Sequence, residues 1–313
     1  MIWMNGRLCA DDAAMVSVFD RGFLYGDGLF ETLPIYAGTP FLLEAHLQRL
    51  VNGARALRFA NAPDADDWHE AVSVLLAAER PHTATLRLWL SRGRGNGGLG
   101  CASATHPTWI AACLPAREYA ARIHGEGLVL AEAQGLHALP SHAPTAWKHA
   151  NYIASILAID DALARGADEA IVFTPEGNVS EAACSNLFFV IDGTLVTPPL
   201  DDGPLAGIVR AQVLAIARSQ GIACIEARVP RAALSRASEA FVTGSLIGIA
   251  PVARLLLSGD DTLALAAPGP IFRILSGHYA TLVESHTGAA WPMPDRTFPP
   301  ISTVQPRVRH ADH

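Results

Sequence analysis

Lys148 lies in Pro144-Thr-Ala-Trp-Lys-His-Ala-Asn-Tyr152, ahead of an apolar stretch and upstream of Asn178-Val-Ser-Glu181, in a chain where lysine is scarce and the basic residues are almost all arginine. A lysine is ordinarily a solvated surface residue. Desolvation or a nearby cation lowers its pKa, and its amine then attacks carbonyl groups to form imines. Lys148 is therefore a candidate imine former. An enzyme that uses pyridoxal phosphate in this way also needs an acid beside the pyridinium nitrogen and donors for the phosphate. Glu181, in a turn that enters an apolar strand among small residues, is the candidate acid. Gly207-Ile-Val-Arg210 opens a helix, where free N–H groups and the dipole favour an anion. Thr243-Gly-Ser245 ends a strand with two hydroxyls and permits close backbone approach. Arg49, on the first long helix, carries a fixed positive charge able to take a phosphate bidentately.

The elements that must position these residues follow from hydrophobic periodicity. Strands are expected at Met15 to Phe19, Phe30 to Tyr36, Pro40 to Leu43, Ala84 to Leu90 and Trp109 to Leu114. Helices are expected at Glu44 to Phe59, where Leu47, Leu50, Val51, Ala54 and Leu57 recur at three-and-four spacing, and from the acidic start at Asp66 to Ala78. A polar segment, 116–127, separates a domain at 1–115 from one at 128–290. The second begins with a strand at Leu128 to Glu132. A helix from Asn151 to Arg165 follows the lysine, with Ile153, Ile156, Leu157 and Leu163 expected to be buried and Gly166 as its C-cap. Further strands are read at Ala170 to Thr174, Leu187 to Ile191 and Ala240 to Thr243, with a helix from Gly207 to Gln220. The tail at 291–313 holds five prolines in 23 residues and reads as extended or disordered. The pattern is α/β (α+β), in two domains.

Composition removes several function classes. The 313 residues are half hydrophobic and 17% charged, ample for a large core. A net charge of -7 and the lack of Lys/Arg runs interleaved with aromatics argue against nucleic acid. Five scattered cysteines with no CxxC or zinc-type spacing indicate reduced thiols and no metal site. The first residues lack a secretory pattern. The apolar run Leu246 to Leu257 is broken by Pro251 and Arg254, short of the roughly 20 residues a membrane span needs. A cytoplasmic, membrane-free protein is expected.

Taken together, Phe19-Asp-Arg-Gly-Phe-Leu-Tyr-Gly-Asp-Gly-Leu-Phe-Glu-Thr32, His46-Leu-Gln-Arg-Leu50, Lys148 with Asn151-Tyr152, Gly177-Asn-Val-Ser-Glu181, Ser185-Asn-Leu-Phe188, Gly207-Ile-Val-Arg210 and Thr243-Gly-Ser245 resemble the class IV aminotransferases, from about Val18 to Val252. These are the fold-type IV pyridoxal phosphate enzymes, which include branched-chain and D-amino-acid aminotransferases and aminodeoxychorismate lyase. The resemblance implies the two-domain D-amino-acid aminotransferase-like fold and a homodimer. It also implies that Lys148 forms the internal aldimine and shuttles the proton, while Glu181 faces the pyridine nitrogen. Arg49, the backbone of Ile208 and Val209, and Thr243, Gly244 and Ser245 would hold the phosphate. Tyr152 falls where some members place a tyrosine against the cofactor's phenolic oxygen and others an aliphatic residue. Two departures concern Ala182 and Ala183, where glycine commonly follows the glutamate, and Val209, where many members have threonine. The first narrows the pocket and the second removes a hydroxyl, but both leave the charge logic and the backbone donor intact.

The substrate is less constrained. Gly93-Arg-Gly-Asn-Gly-Gly98 fits GxGxxG after a strand, but Leu99 to Pro107 has no helical pattern, so a dinucleotide would lack its helix dipole. Within the resemblance it is a loop near the substrate. Arg87 and Arg92 flank it, and a substrate carboxylate needs such a cation. Arg87 has the spacing of the strand arginine of branched-chain enzymes and also reads as an exposed strand residue; Arg92 also reads as a structural residue. Phe30 stands where D-amino-acid enzymes of the best-known type place a tyrosine, and their Arg-x-His trap is missing. Thr32 departs from the Phe-Glu-Gly of branched-chain enzymes, and the Gly-Gly-Arg-Gly-Tyr loop of the lyase is also missing. The expected activity is transfer of an amino group from an amino acid to a 2-oxo acid through pyridoxamine phosphate, with a branched-chain-like substrate favoured. The alternative is aminodeoxychorismate lyase, which releases 4-aminobenzoate and pyruvate. A third reading is a noncatalytic scaffold on this fold, which the intact Lys148, Glu181 and Arg49 disfavour.

Overall fold

The computed structural model describes residues 1–138, 147–259 and 261–291. Among these, the first sheet is built from Ile2–Met4 (β1), Arg7–Cys9 (β2), Gly28–Tyr36 (β3), Thr39–Pro40 (β4), Ala84–Ser91 (β5) and Thr108–Leu114 (β6), in the order β2-β1-β6-β5-β3-β4 and antiparallel throughout. Arg21–Tyr25 (α1) precedes β3, and Leu43–Ala56 (α2) and Ala65–Glu79 (α3) cover one face of the sheet. Leu47, Leu50 and Ala54 of α2 and Trp68, Val72 and Leu75 of α3 pack there on Leu33, Leu86 and Leu88. The α3 start is fixed by a capping box between Asp64 and Asp67.

The second sheet comprises Leu128–His137 (β7), Glu169–Phe173 (β8), Val179–Ala182 (β9), Asn186–Ile191 (β10), Thr194–Thr197 (β11), Cys224–Glu226 (β12), Ala237–Gly244 (β13), Gly248–Leu256 (β14) and Thr262–Ala264 (β15). Its order is β12-β11-β10-β13-β14-β7-β8-β9, with β15 beside β14. It is mixed: β7 runs parallel to both β14 and β8, while β13 is antiparallel to its neighbours β10 and β14. Arg122–Gly125 (α4), Ile153–Ala164 (α5), Ile208–Ser219 (α6) and Pro270–Thr287 (α7) accompany it. The buried face of α6 packs with α7 on Phe188, Phe241 and Ile249.

Three expectations are corrected. Met15 to Phe19 forms no strand: its side chains point to solvent, Met15 with 78% exposure, and the chain turns to let the Asp20 carboxylate cap α1. Pro40 to Leu43 yields only the two-residue β4, because Leu42 adopts a left-handed backbone at the start of α2. In α5 the burial is inverted. Ile153, Ile156, Leu157 and Leu163 are exposed, while Ala158 and Ala162 are buried against Ala131 and Ala170 of the sheet. Small residues let the helix backbone approach the sheet closely, and the large aliphatic side chains are turned outward. The segment expected to be a polar linker carries α4, and Trp291 packs edge-on against Tyr279 (4.8 Å) and His124 (5.4 Å). Beyond Trp291 the expected extended tail lies outside the described residues. No helix among them is long and apolar enough to cross a membrane.

Candidate active site

A cavity of about 730 Å³ is walled by β3, β5 and α2 of the first sheet's layer and by β9, the α6 start and the β13–β14 turn of the second. Lys148 reaches it through backbone pairing. At its C-terminal end β3 pairs with β4, but at its beginning the edge opposite β5 is taken by residues 148–150. Phe30 N–H donates to the Lys148 carbonyl (3.0 Å) and Ala150 N–H to the Gly28 carbonyl (2.9 Å). The amine therefore projects beside Phe30, its Nζ 4.5 Å from the ring centroid, and donates to the Tyr152 hydroxyl at 2.9 Å. Burial pushes its pKa down to about 8, helped by Arg49 and Arg87 and opposed by Glu31 and Glu181. An amine so placed is deprotonated near neutral pH far more often than a surface lysine. Lys148 is the single lysine in the sequence.

Glu181 enters the cavity from β9. Its Oε2 accepts from the Leu205 N–H (2.9 Å) and from Asn186 Nδ2 (3.2 Å). Burial dominates and raises its carboxyl to about 7, against the Leu205 bond and the Lys148 charge. A carboxylate this reluctant to ionise alone is suited to a cationic N–H partner. Asn186 is confined by the α6 N-cap: a Cβ at Gly207 would lie 1.9 Å from its Oδ1, so only glycine fits there. Behind Glu181, the buried Glu169 holds the 184–185 turn by accepting from Cys184 N–H (2.7 Å) and Ser185 Oγ (3.1 Å).

The opposite corner suits an anion. The N-cap Gly207 offers no side chain to the first turn of α6, so the N–H groups of Ile208 and Val209, which line the cavity, are available. Thr243 Oγ1 is buried with no partner among the described residues. Ser245 completes the corner. Arg49 lies here, but its fork is already engaged. Nε and Nη2 donate to the two oxygens of Glu31 at 2.7 Å each, and Nη1 to the Ala206 carbonyl at 3.0 Å. Of five guanidinium N–H groups, three are engaged in this way and two, one on Nη1 and one on Nη2, remain for an anion. Glu31 and His46, both 1% exposed, were not singled out in the sequence; the i, i+3 spacing of His46 and Arg49 on one helix face was the available signal. His46 Nδ1 is 2.7 Å from Glu31 Oε2. Burial works to raise the Glu31 carboxyl, yet Arg49 and His46 together hold it down at about 2.

On another wall of the cavity, Phe30, Trp89 and Tyr152 form an aromatic surface, Phe30 stacked on Trp89 at 5.9 Å. Arg87 lies over Phe30, its guanidinium carbon 3.8 Å from the ring centroid, and donates to Thr32 Oγ1 at 2.7 Å. It has no acidic partner among the described residues, and burial lowers its pKa. Arg92 is a correction: it does not line the cavity. Its side chain donates to Asp27 (2.9 Å) and to the carbonyls of Arg58 and Leu57 (3.0 Å each) and lies over Phe59. With Arg21, which also binds Asp27 and the carbonyls of Gly98 and Leu99, it ties the glycine loop to the first layer. Among residues 94–107 the structure has no helix. Opposite outcomes follow for the two arginines. Arg92→Met should cost about 1–3 kcal/mol in urea unfolding by leaving two carbonyls without their donor and loosening the hold on the half-buried Asp27, which keeps Arg21, with KM unchanged. Arg87→Met should raise KM by about 10- to 100-fold with little loss of stability. An unchanged KM in Arg87→Met would remove that residue from the substrate side.

The sequence model of the family described as amino-transferase class IV matches residues 28–255. A putative branched-chain-amino-acid aminotransferase of Methanocaldococcus jannaschii is 34% identical over 252 residues, covering 80% of this chain and 86% of that protein. The branched-chain amino acid aminotransferase of T.th., solved with pyridoxamine 5'-phosphate, superposes with a TM-score of 0.79 at 28% identity, covering 92% of this chain and 94% of that one. The 4-amino-4-deoxychorismate lyase of Pseudomonas aeruginosa gives a TM-score of 0.79 at 32% identity over 91% and 98% of the two chains. The lone amine, the reluctant acid and the anion corner thus lie on a fold shared with these enzymes, and the chain belongs to the class IV aminotransferase family.

Proposed function

We propose that the protein binds pyridoxal 5'-phosphate through Lys148 and moves an amino group from a branched-chain-like amino acid to a 2-oxo acid. The observation that carries this is that the only lysine and a carboxyl raised to about 7 face one cavity, opposite free helix N–H groups and an unpartnered hydroxyl. When bound, the cofactor supplies a carbonyl carbon and an electron-withdrawing ring. Lys148 supplies the amine and moves the proton at the substrate's α-carbon. Glu181 holds the proton on the ring nitrogen, and Tyr152 positions the Lys148 amine. Arg49, Ile208, Val209, Thr243, Gly244 and Ser245 hold the phosphate. Phe30 and its aromatic neighbours take an apolar side chain and exclude water, and Arg87 takes the carboxylate. The cavity lies between the units read as domains at 1–115 and 128–290.

We further read the protein as a cytoplasmic homodimer. Its support is an apolar patch on α1 and α5, with Phe23 73% and Ile153 70% exposed, bridged by the Asn151 Nδ2 bond to the Gly26 carbonyl at 3.1 Å. The five cysteines are all unpaired, and a reducing compartment keeps thiols in that state. The test is a single half-reaction: leucine or isoleucine added to the cofactor-loaded protein should bleach its visible absorbance and yield the 2-oxo acid. If no amino acid does so, and aminodeoxychorismate instead releases pyruvate and 4-aminobenzoate, the protein is a lyase.

A further inference from the structure

The hydrogen bonds around His46 determine what Ser245 can do. Glu31 is an ionised, acceptor-only group, so the ring nitrogen 2.7 Å from it, Nδ1, carries a proton. The other nitrogen, Nε2, is 3.4 Å from Ser245 Oγ. In a neutral ring Nε2 has only a lone pair, and the Ser245 hydroxyl bonds to it by giving up its single proton. Ser245 then turns lone pairs to the cavity, where a phosphate also offers only acceptors. In a charged ring, Nε2–H donates to Ser245 Oγ and the hydroxyl proton is released towards the anion.

We propose that His46 is a positioning residue that takes up a proton when a dianion enters the corner formed by Arg49, Ile208 and Ser245, and so converts Ser245 from an acceptor into a donor. The proposal rests on the reading of that corner as the phosphate site. The proton comes from solvent and returns when the anion leaves. The charged groups acting on His46 are Glu31 from β3, Arg49 from its own helix and Lys148 from the segment paired with β3. Burial, with Arg49 and Lys148, disfavours the imidazolium before the anion arrives, while Glu31 favours it. Two added negative charges shift that balance. His46 is 1% exposed, so its charge is poorly screened.

Inorganic sulfate is the probe. A phosphate monoester has its own second pKa of about 6, whereas sulfate remains a dianion across the range. It is titrated calorimetrically into cofactor-free protein at several pH values, in two buffers of different ionisation enthalpy. The wild type should bind more tightly as pH falls, approaching about tenfold per unit, with uptake of about one proton. In His46→Gln, whose amide can donate to Ser245 at every pH, the His46 share of both effects, about one log unit of affinity per pH unit and about one proton, should be lost. Changes at Lys148 and Glu181 are common to both proteins and cancel in the comparison. Equal slopes in the two proteins overturn the proposal and leave the phosphate site standing; no sulfate binding by the wild type overturns both. Ser245→Ala keeps His46 in place and provides a second arm. Its affinity should fall at low pH and match the wild type at high pH, and an equal fall at every pH overturns the proposal.

Discussion

Replacing Lys148 with alanine should lower turnover by at least about 10⁴-fold, because the proposed nucleophile and α-carbon proton carrier would both be lost, and should leave the cofactor held only by noncovalent contacts. The sequence makes this result unusually clean to read. With one lysine in 313 residues, borohydride reduction of the loaded wild type has a single side-chain amine to trap. Intact mass should show one cofactor per chain in the wild type and none in the variant. Retained turnover, or a trapped cofactor in Lys148→Ala, would remove Lys148 from the chemistry. Tyr152 loses its 2.9 Å donor in the variant but remains packed on Phe30 at 5.0 Å, so the fold should survive.

Glu181→Gln should slow turnover on the order of 10²- to 10³-fold, since the amide would preserve the shape but not the charge proposed to face the ring nitrogen. It also makes a prediction that needs no cofactor. Burial raises the Glu181 carboxyl from 4.5 to about 7 in the folded chain. The folded chain therefore binds this proton more tightly than the unfolded one. Stability from this group is fully present below about pH 4.5 and declines as pH rises to about 7, by up to about 3 kcal/mol. Cofactor-free wild type should lose urea resistance between pH 5 and pH 8, and Glu181→Gln should lose less. Identical pH profiles would mean that Glu181 is solvated and not the isolated carboxyl described above.

The residues legible in advance were those whose chemistry is local. Lys148, Glu181 and the Gly207 helix start could be read because a scarce residue type or a turn composition marks each one in a short window. Helix boundaries were also local: the three-and-four pattern gave α2 to within a few residues of Leu43–Ala56. What escaped was pairwise. Arg92 and Arg87 sit in the same strand region with the same side chain, and only tertiary contact separates the one consumed by Asp27 and two carbonyls from the one left facing the cavity. Glu31 and His46 fall inside motifs that give them no role in the sequence, because their meaning lies in one carboxylate shared with Arg49 across a helix and a strand. The α5 error had the opposite cause. Large aliphatic residues read as the buried face by hydrophobicity alone, whereas close packing on the sheet selects alanines.

The pairing of residues 148–150 with the start of β3 bears on how such chains can be recombined. The Lys148 amine follows the 116–127 segment in the sequence but is carried by the first sheet, so a crossover anywhere in 116–127 separates it from its support. The two bonds that dock it, Phe30 N–H to the Lys148 carbonyl and Ala150 N–H to the Gly28 carbonyl, are main chain to main chain and read no side-chain identity. Hybrids assembled from the halves of different relatives should therefore seat the amine whatever residues flank it, and inherit substrate preference from whichever parent supplies β3 and β5.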